Sequence, residues 1–302
     1  YEIGVRLVGS EMCIRDRWAL LIKFGSKAFS IFLKLLKGLK FTKLGLAGLS
    51  FAGYASMYSW KFAILLMVAV GFHESGHVWA MKRLGIKTKG FYFLPFLGGA
   101  AIAEDNYKSY GENAFVAIMG PVWGALLAIA SLVAYKVTGN SLWAAAAAWM
   151  AMLNLFNLLP VTPLDGGQLV RSIAFSIHKW AGLIFLFCSM ILGTILMFKL
   201  KIGLFALLLI VAAIELITEI RDRRKIDKVN RGEAKVWILP DRLIERDPDT
   251  DVAVPKKHPA TMNRNQLLLT AGSYVSLIAL LAYIMLSMAH IPGADLASNF
   301  ME

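Results

Sequence analysis

LLMVAVGFHESGHVWAM, residues 65–81, is an apolar stretch that contains two histidines and one glutamate. It lies within an apolar segment, 61–82, whose length is close to the roughly 20 residues that a helix needs to cross a bilayer. Ionisable side chains are costly inside a membrane, so a functional site is their default interpretation. The alternative is a structural polar cluster that bridges neighbouring helices.

Other apolar segments recur along the chain and predict further membrane helices. Each is interpreted as helical, because lipid cannot satisfy unpaired backbone polar groups. Hydrophobic residues make up 58% and charged residues only 17% of the 302 positions, which is unlike a soluble domain. The predicted fold class is an all-α polytopic membrane protein with about six to seven transmembrane helices. The further segments lie at about 44–58, 113–136, 141–159, 181–198, 202–217 and 267–289.

Five consecutive segments are predicted. Residues 1–17 are interpreted as non-native, because GSEMCIRDR at 9–17 resembles translated sequencing-adapter sequence. Residues 18–43 place lysines on one helical stripe and predict an interfacial amphipathic helix, with a soluble helix packed on another domain as the alternative. Residues 44–220 form the core, 221–266 a cytosolic basic linker, and 267–302 a C-terminal transmembrane helix and tail.

The chain is basic, with 32 Lys and Arg against 20 Asp and Glu, a net charge of +12. The basic residues lie mainly beside apolar spans, and 221–266 carries twelve of them against eight acids. The positive-inside rule therefore predicts a multi-pass protein of the cell (plasma or inner) membrane, with the histidine motif near the cytosolic side. No nucleic-acid-binding pattern accompanies the charge, so the lipid bilayer and not nucleic acid is the expected partner.

The motif with the clearest chemistry is His73-Glu74-Ser75-Gly76-His77. Its two imidazoles are four residues apart and share one face of a helix. Neutral imidazoles are good ligands for Zn²⁺, and a neighbouring carboxylate is suited to act as a general base. The chain has only two cysteines, which are too few for a cysteine-rich metal site or a disulfide framework.

A catalytic zinc site usually has three protein ligands, so one more is expected. The candidate is Asp165, within NLFNLLPVTPLDGG at 154–167, which follows a span predicted to end on the same side as the motif. The prolines of this stretch block a regular helix and its glycines permit close backbone approach, so the carboxylate can turn inward. Taken alone, Asp165 would be an ordinary N-cap of the next helix. Beside the histidine motif it is the better ligand.

With both motifs in place, residues 44–220 resemble the site-2 protease family of intramembrane metalloproteases, peptidase family M50. This family combines HExxH on one span with an Asn-x-x-Pro-x-x-x-Leu-Asp-Gly motif on another. Here the second motif is formed by Asn157, Pro160, Leu164, Asp165 and Gly166. The resemblance implies one zinc ion per chain, held by His73, His77 and Asp165, with Glu74 as general base. It also implies hydrolysis of membrane-spanning protein substrates at a cytosol-proximal site.

The resemblance suggests further roles that the residues leave open. Asn157, and less strongly Asn154, are candidates for a hydrogen bond to the oxyanion or the substrate, with a helix-packing amide as the alternative for Asn157. Residues 91–102 are predicted as a short re-entrant β element, whose Gly98 and Gly99 are candidate substrate contacts. A plain interfacial loop is the alternative there. The PDZ or CBS domains common in the family are not expected within this chain.

Two other functions remain as alternatives at the level of sequence. A catalytically inactive relative could bind membrane proteins as a scaffold or chaperone, although the intact Glu74 argues against it. A zinc or proton transporter would carry polar residues on several spans, whereas here they concentrate on two. Glu215 and Glu219 could line a polar cavity, although placement at the membrane interface is their commoner explanation.

Overall fold

A computed structural model describes residues 43–57, 59–95, 98–105, 107–200, 204–232, 244–246, 253–255, 259–288 and 291. The predicted segments 1–17 and 18–43 therefore lie outside the described residues, except for Lys43. The chain divides into two compact units, residues 1–49 and 50–302. The features discussed below lie in the second unit.

The described residues are mostly helical, as the sequence predicts. Two short β hairpins interrupt the helices. The helices are α1 (Lys43–Met57), α2 (Trp60–Arg83), α3 (Tyr110–Thr138), α4 (Ser141–Asn157), α5 (Asp165–Ile177), α6 (Lys179–Leu200), α7 (Leu204–Asn230) and α8 (Arg264–Met288). The strands are β1 (Thr88–Leu94), β2 (Gly98–Ala103), β3 (Ile244–Arg246) and β4 (Ala253–Pro255).

Four stretches within these helices are long and apolar enough to cross a membrane. They are Trp60–Arg83, Tyr110–Thr138, Lys179–Leu196 and Arg264–Met288. They coincide with α2, α3, most of α6 and α8, so the predicted membrane character is confirmed at this coarser level. In the described part of the chain, helix α4 is apolar but has only 17 residues.

Polar residues at the helix ends explain where several helices begin. The Ser59 hydroxyl accepts a hydrogen bond from the Phe62 N–H at 3.2 Å and caps α2. Ser109 caps α3 in the same way, with the Glu112 N–H as donor at 3.1 Å. Such caps satisfy donors that a helix leaves unpaired in its first turn. They fix the start of the two helices that frame the site.

The centre of the bundle is built from small residues. Helix α3 packs against α2, α4 and α5, and the alanines from Ala144 to Ala148 on α4 are at most 3% exposed. Small side chains let membrane helices approach closely and gain packing contacts that lipid cannot provide. The alanine run therefore draws α4 tightly against its neighbours.

Helix α7 carries a partly buried network of ion pairs. The Arg171 guanidinium of α5 pairs with Glu215 and, at 2.8 Å, with Glu219, and Glu219 also pairs with Arg223 at 2.5 Å. Neither glutamate lines the cavity described below, and both have arginine partners. The structure thus gives both glutamates arginine partners and not a place in the cavity wall, and their placement at the membrane interface stays a prediction.

Helix α7 also extends further than its apolar segment. The sequence predicts a span at about 202–217 and a linker from 221, but α7 continues to Asn230. The added turns carry alternating charges, and Glu219 and Arg223 form an i, i+4 pair along them. The first ten residues of the predicted linker are thus helical.

Candidate metal centre

The two histidines of the HExxH motif face each other on the buried side of α2. His73, Glu74 and His77 are only 5%, 7% and 7% exposed. The Nε2 atoms of the two imidazoles are 3.2 Å apart. The spacing of four residues therefore brings both rings to one point, as the motif predicts.

Asp165 joins the two histidines from a separate helix. Its carboxylate oxygens lie 3.0 Å from Nε2 of His73 and 3.3 Å from Nε2 of His77. Leu164 is the N-cap residue of α5, and Asp165 is the first helical residue. The carboxylate is thus directed toward the imidazoles. Two imidazole nitrogens and one carboxylate, all within 4.8 Å of one another, form a donor set that suits zinc.

Both histidines are oriented by hydrogen bonds to their other ring nitrogen. His77 Nδ1 donates to the Val116 carbonyl at 2.7 Å, and His73 Nδ1 donates to Asn154 Oδ1 at 2.9 Å. The Asn154 amide nitrogen donates to the Met150 carbonyl at 2.7 Å, which assigns Oδ1 as the acceptor. Each Nε2 therefore presents its lone pair to the shared point, as metal-binding histidines require.

Asn154 contacts His73 and also belongs to the lining of the cavity described below, so the substrate contact suggested by the sequence stays a prediction. It is 3% exposed and belongs to the layer of groups that hold the candidate ligands. The sequence offers little sign of this pairing, because residues 73 and 154 are 81 positions apart and the contact depends on how α2 and α4 are rotated. The one signal available in the sequence is that residue 154 is an asparagine inside an apolar span.

Two glycines of α3 leave the room that these side chains occupy. A Cβ at Gly120 would collide with the His77 imidazole, and one at Gly124 would collide with the Asn154 amide. Val116, the acceptor for His77, lies one helical turn before Gly120. Helix α3 therefore supports the centre through the Val116 carbonyl and through two glycine positions that leave space for the side chains of other helices.

The metal-binding forms of these groups are the ionised Asp165 carboxylate and two neutral imidazoles that carry their proton on Nδ1.

Glu74 projects beside the three candidate ligands and against the first hairpin. A Cβ at Gly99 would lie only 2.5 Å from Glu74 Cγ, so the glycine permits this close contact. The Ala101 N–H also lies against the Glu74 carboxylate. Strand β2 pairs with β1 in antiparallel register, with Leu94 opposite Gly98. The predicted β element thus occurs in the structure as a hairpin next to Glu74.

A cavity of about 620 Å³ opens onto these residues. Its walls are mainly apolar, and they include all four candidate substrate contacts, Asn154, Asn157, Gly98 and Gly99. Sequence reasoning missed four polar residues of the lining, because none belongs to a motif with recognisable spacing. These are Tyr54, Tyr107, Asn113 and Gln168.

Substitution of Asn154 by Ala is expected to weaken zinc binding by about 10- to 100-fold, the usual effect of losing a partner of a metal-binding histidine. Competition with a chromogenic chelator measures the affinity. The control is Asn140→Ala on the same helix, because Asn140 only caps the exposed start of α4. Equal zinc affinity in the Asn154 variant and the parent would contradict the orienting role.

Comparison with known proteins agrees with this geometry. Residues 61–141, which contain the HExxH motif, match the sequence profile of peptidase family M50. The resemblance predicted from the motifs is thereby confirmed.

Individual relatives match over a limited part of their length. A zinc metalloprotease of Methanocaldococcus jannaschii is 34% identical over 115 residues, 36% of this chain and 33% of the relative. Rip3 of Mycobacterium tuberculosis, whose name also contains the words zinc metalloprotease, is 30% identical over 138 residues, 42% of this chain and 35% of the relative. The chain spans about a third of the length of these curated relatives.

Proposed function

We propose that this chain, whose residues 61–141 carry the M50 peptidase segment, is a zinc metalloendopeptidase that hydrolyses peptide bonds of membrane-spanning proteins. The observation that carries the proposal is the meeting of His73, His77 and Asp165, with Glu74 beside them, on helices of a membrane protein. One zinc ion per chain would be held by the two Nε2 atoms and the carboxylate. Zinc bound there would supply Lewis-acid polarisation of a carbonyl and activation of water.

Side chains of the protein would then carry out the proton transfers, hold the metal and bind the substrate. Glu74 accepts a proton from the attacking water and returns it to the leaving amine nitrogen. Asp165 and the two histidines stay fixed as ligands, because outer hydrogen bonds hold both rings. Asn157, on the cavity wall, donates a hydrogen bond to the substrate carbonyl or backbone.

The cavity has room for a short stretch of a substrate chain. A helix about 10 to 12 Å wide that rises 1.5 Å per residue fills roughly 120 to 170 Å³ per residue. The cavity of about 620 Å³ therefore takes on the order of four or five residues. Carbonyls in an intact helix are also hydrogen-bonded and shielded, so the substrate segment unwinds before it is cut.

Strand β2 offers a binding edge for the unwound segment. The Glu104 N–H donates across the hairpin to the Lys87 carbonyl at 2.8 Å. Alternate residues of an antiparallel strand direct their N–H groups to the same side, so Gly99 and Ala101 direct theirs away from β1. Among the described residues no strand pairs with this edge of β2. A substrate strand added there runs past Glu74 by β-augmentation.

Substitution of Ala101 by Pro is expected to lower cleavage of a membrane substrate by about tenfold, because proline removes the outward N–H, which contacts Glu74 in the substrate-free protein and would pair with the substrate strand. Zinc content is expected to stay at the parental level. The control Ala101→Ser keeps both the N–H and the small size. Cleavage in reconstituted vesicles, followed by gel analysis, is the measurement. Unchanged cleavage by the proline variant would rule out pairing through this N–H.

The proposal includes the finer topology predicted from the sequence. We take the chain to cross the cell membrane six to seven times, with the hairpin re-entrant and the metal centre near the cytosolic face. The basic residues after α2 and along α7 support this orientation. Introduced cysteines at Lys87 and Gly139, labelled with an impermeant reagent, would report which side each connection faces.

A cleavage assay separates the protease from the two alternatives. The purified protein is placed in lipid vesicles with single-span membrane proteins, with and without a chelator, and its zinc content is measured. A protease binds one zinc per chain and cuts only without the chelator. A scaffold binds the same proteins without cutting them, and a transporter moves ions across the vesicle membrane. Either of these last results, without cleavage, would exclude the proposed activity.

A further inference from the structure

The position of Asp165 depends on the short connection between α4 and α5, residues 158–164, which we term the ligand loop. It begins directly after Asn157 and ends directly before Asp165. It contains two prolines and has little regular structure of its own. Its position must therefore be fixed by contacts with other elements.

Tyr274 of α8 holds the beginning of the ligand loop. Its hydroxyl donates to the Leu158 carbonyl at 2.6 Å, and Leu158 is only 1% exposed. The same carbonyl lies so close to Gly166 that a Cβ there would collide with it. Gly166 adjoins Asp165 in the chain. Tyr274 is thus connected to a candidate metal ligand through one carbonyl and one glycine.

Ser189 of α6 holds the middle of the ligand loop. The Thr162 N–H donates to the Ser189 hydroxyl at 2.8 Å, and both residues are at most 2% exposed. Two different helices therefore satisfy buried backbone groups of the same loop. A buried polar group that loses its partner is costly, so the loop is held in one position.

Helix α8 itself is firmly attached to the bundle. Leu281 and Ile284 are at most 1% exposed and belong to the core that also contains the alanines of α4. At the start of α8, the Met262 N–H donates to the Ser176 hydroxyl of α5 at 3.1 Å. Because α8 is anchored to both α4 and α5, it can hold the loop that joins them.

We propose that Tyr274 is a positioning residue of the metal centre and that α8 is a required part of that centre. This helix lies outside residues 61–141, which match the peptidase family. The Tyr274 hydroxyl fixes the Leu158 carbonyl, and this carbonyl packs against Gly166. Gly166 in turn sets where the Asp165 carboxylate meets the histidines. The inference rests on the proposed function only in taking His73, His77 and Asp165 as the zinc ligands.

Tyr274→Phe tests the inference, because it removes the hydroxyl and keeps the ring. We expect zinc to be lost to a chelator about tenfold faster than from the parent. We also expect the visible spectrum of the Co²⁺-loaded protein to change, which a purely structural role would not cause. Tyr283→Phe on the same helix is the matched control, since Tyr283 is 67% exposed. Restoring a donor with p-aminophenylalanine at 274 should restore slow zinc loss and the parental spectrum.

Each result bears on the proposal. Parental zinc loss and an unchanged Co²⁺ spectrum in Tyr274→Phe would overturn it, even if the variant melted at a lower temperature. If that variant does not fold, 4-fluorophenylalanine at 274 fills the space of the hydroxyl but cannot donate a hydrogen bond, and parental zinc loss there would overturn the inference equally. A parent protein that bound no zinc would instead refute the proposed metal centre, so the two failures are distinguishable.

Discussion

Substitution of Glu74 by Gln is expected to reduce cleavage of a membrane substrate by about 10²- to 10⁴-fold while leaving zinc content unchanged. Loss of a positioned general base has an effect of this size. Glutamine has nearly the same shape, so it can keep the close contact with Gly99. It cannot accept a proton from water at neutral pH. Single-turnover cleavage in vesicles, together with metal analysis of the same samples, is the measurement.

The matched control for this experiment is Glu104→Gln. Glu104 is a carboxylate just beyond the same hairpin, but its side chain is 42% exposed and it pairs with Lys89 at the surface. We expect its cleavage rate to be parental, because exposed ion pairs contribute little. Cleavage by Glu74→Gln at the parental rate would show that another group serves as base. Loss of zinc from that variant would show that Glu74 has a role in the site beyond proton transfer.

The main part of the candidate site could be predicted from the sequence because its geometry is local. His73 and His77 meet because a helix brings residues four apart to one face, and no knowledge of the other helices is needed. Asp165 required a further step, since it lies on a different helix. The stretch around it has a recognisable composition, and the need for a third ligand pointed to it.

The groups that orient these residues could not be predicted in the same way. The contact of Asn154 with His73 depends on the rotation of α4 relative to α2, and the space for it depends on Gly124 in a third helix. Apolar periodicity tells which segments enter a membrane but not which faces meet. The pairing of Arg171 with Glu215, 44 residues away, was missed for the same reason.

Helix ends were predicted less well than helix cores. The segment at 202–217 was recognised by its apolar residues, but α7 continues to Asn230 through charged turns. An apolar run measures how much of a helix fits into lipid, and a helix can continue into water when i, i+4 ion pairs stabilise it. The N-cap serines at 59 and 109 mark two starts more directly, because their hydroxyls satisfy the first free N–H groups.

Substitution of Asp165 by Asn is expected to remove both zinc and activity, in contrast to Glu74→Gln, which removes activity alone. Loss of a partner of a metal-binding histidine costs up to about 100-fold in affinity, so loss of a direct ligand should cost more than that. The carboxylate lies 3.0 and 3.3 Å from the two Nε2 atoms, and no other carboxylate completes a metal-binding group with them among the described residues. Equilibrium dialysis against buffered zinc measures the affinity.

The outcome for Asp165→Asn distinguishes a ligand from a capping residue. The Leu164 N-cap of α5 makes no side-chain hydrogen bond, and the Asp165 carboxylate is occupied by the histidines. If Asp165 served only the first turn of α5, Asn would replace it at little cost, because a charge there contributes only about 0.3 to 1 kcal/mol through the helix dipole. Zinc affinity would then be parental, and two histidines alone would have to hold the ion. A loss of more than 100-fold in Asp165→Asn, with α5 still formed, requires that the carboxylate bind zinc directly.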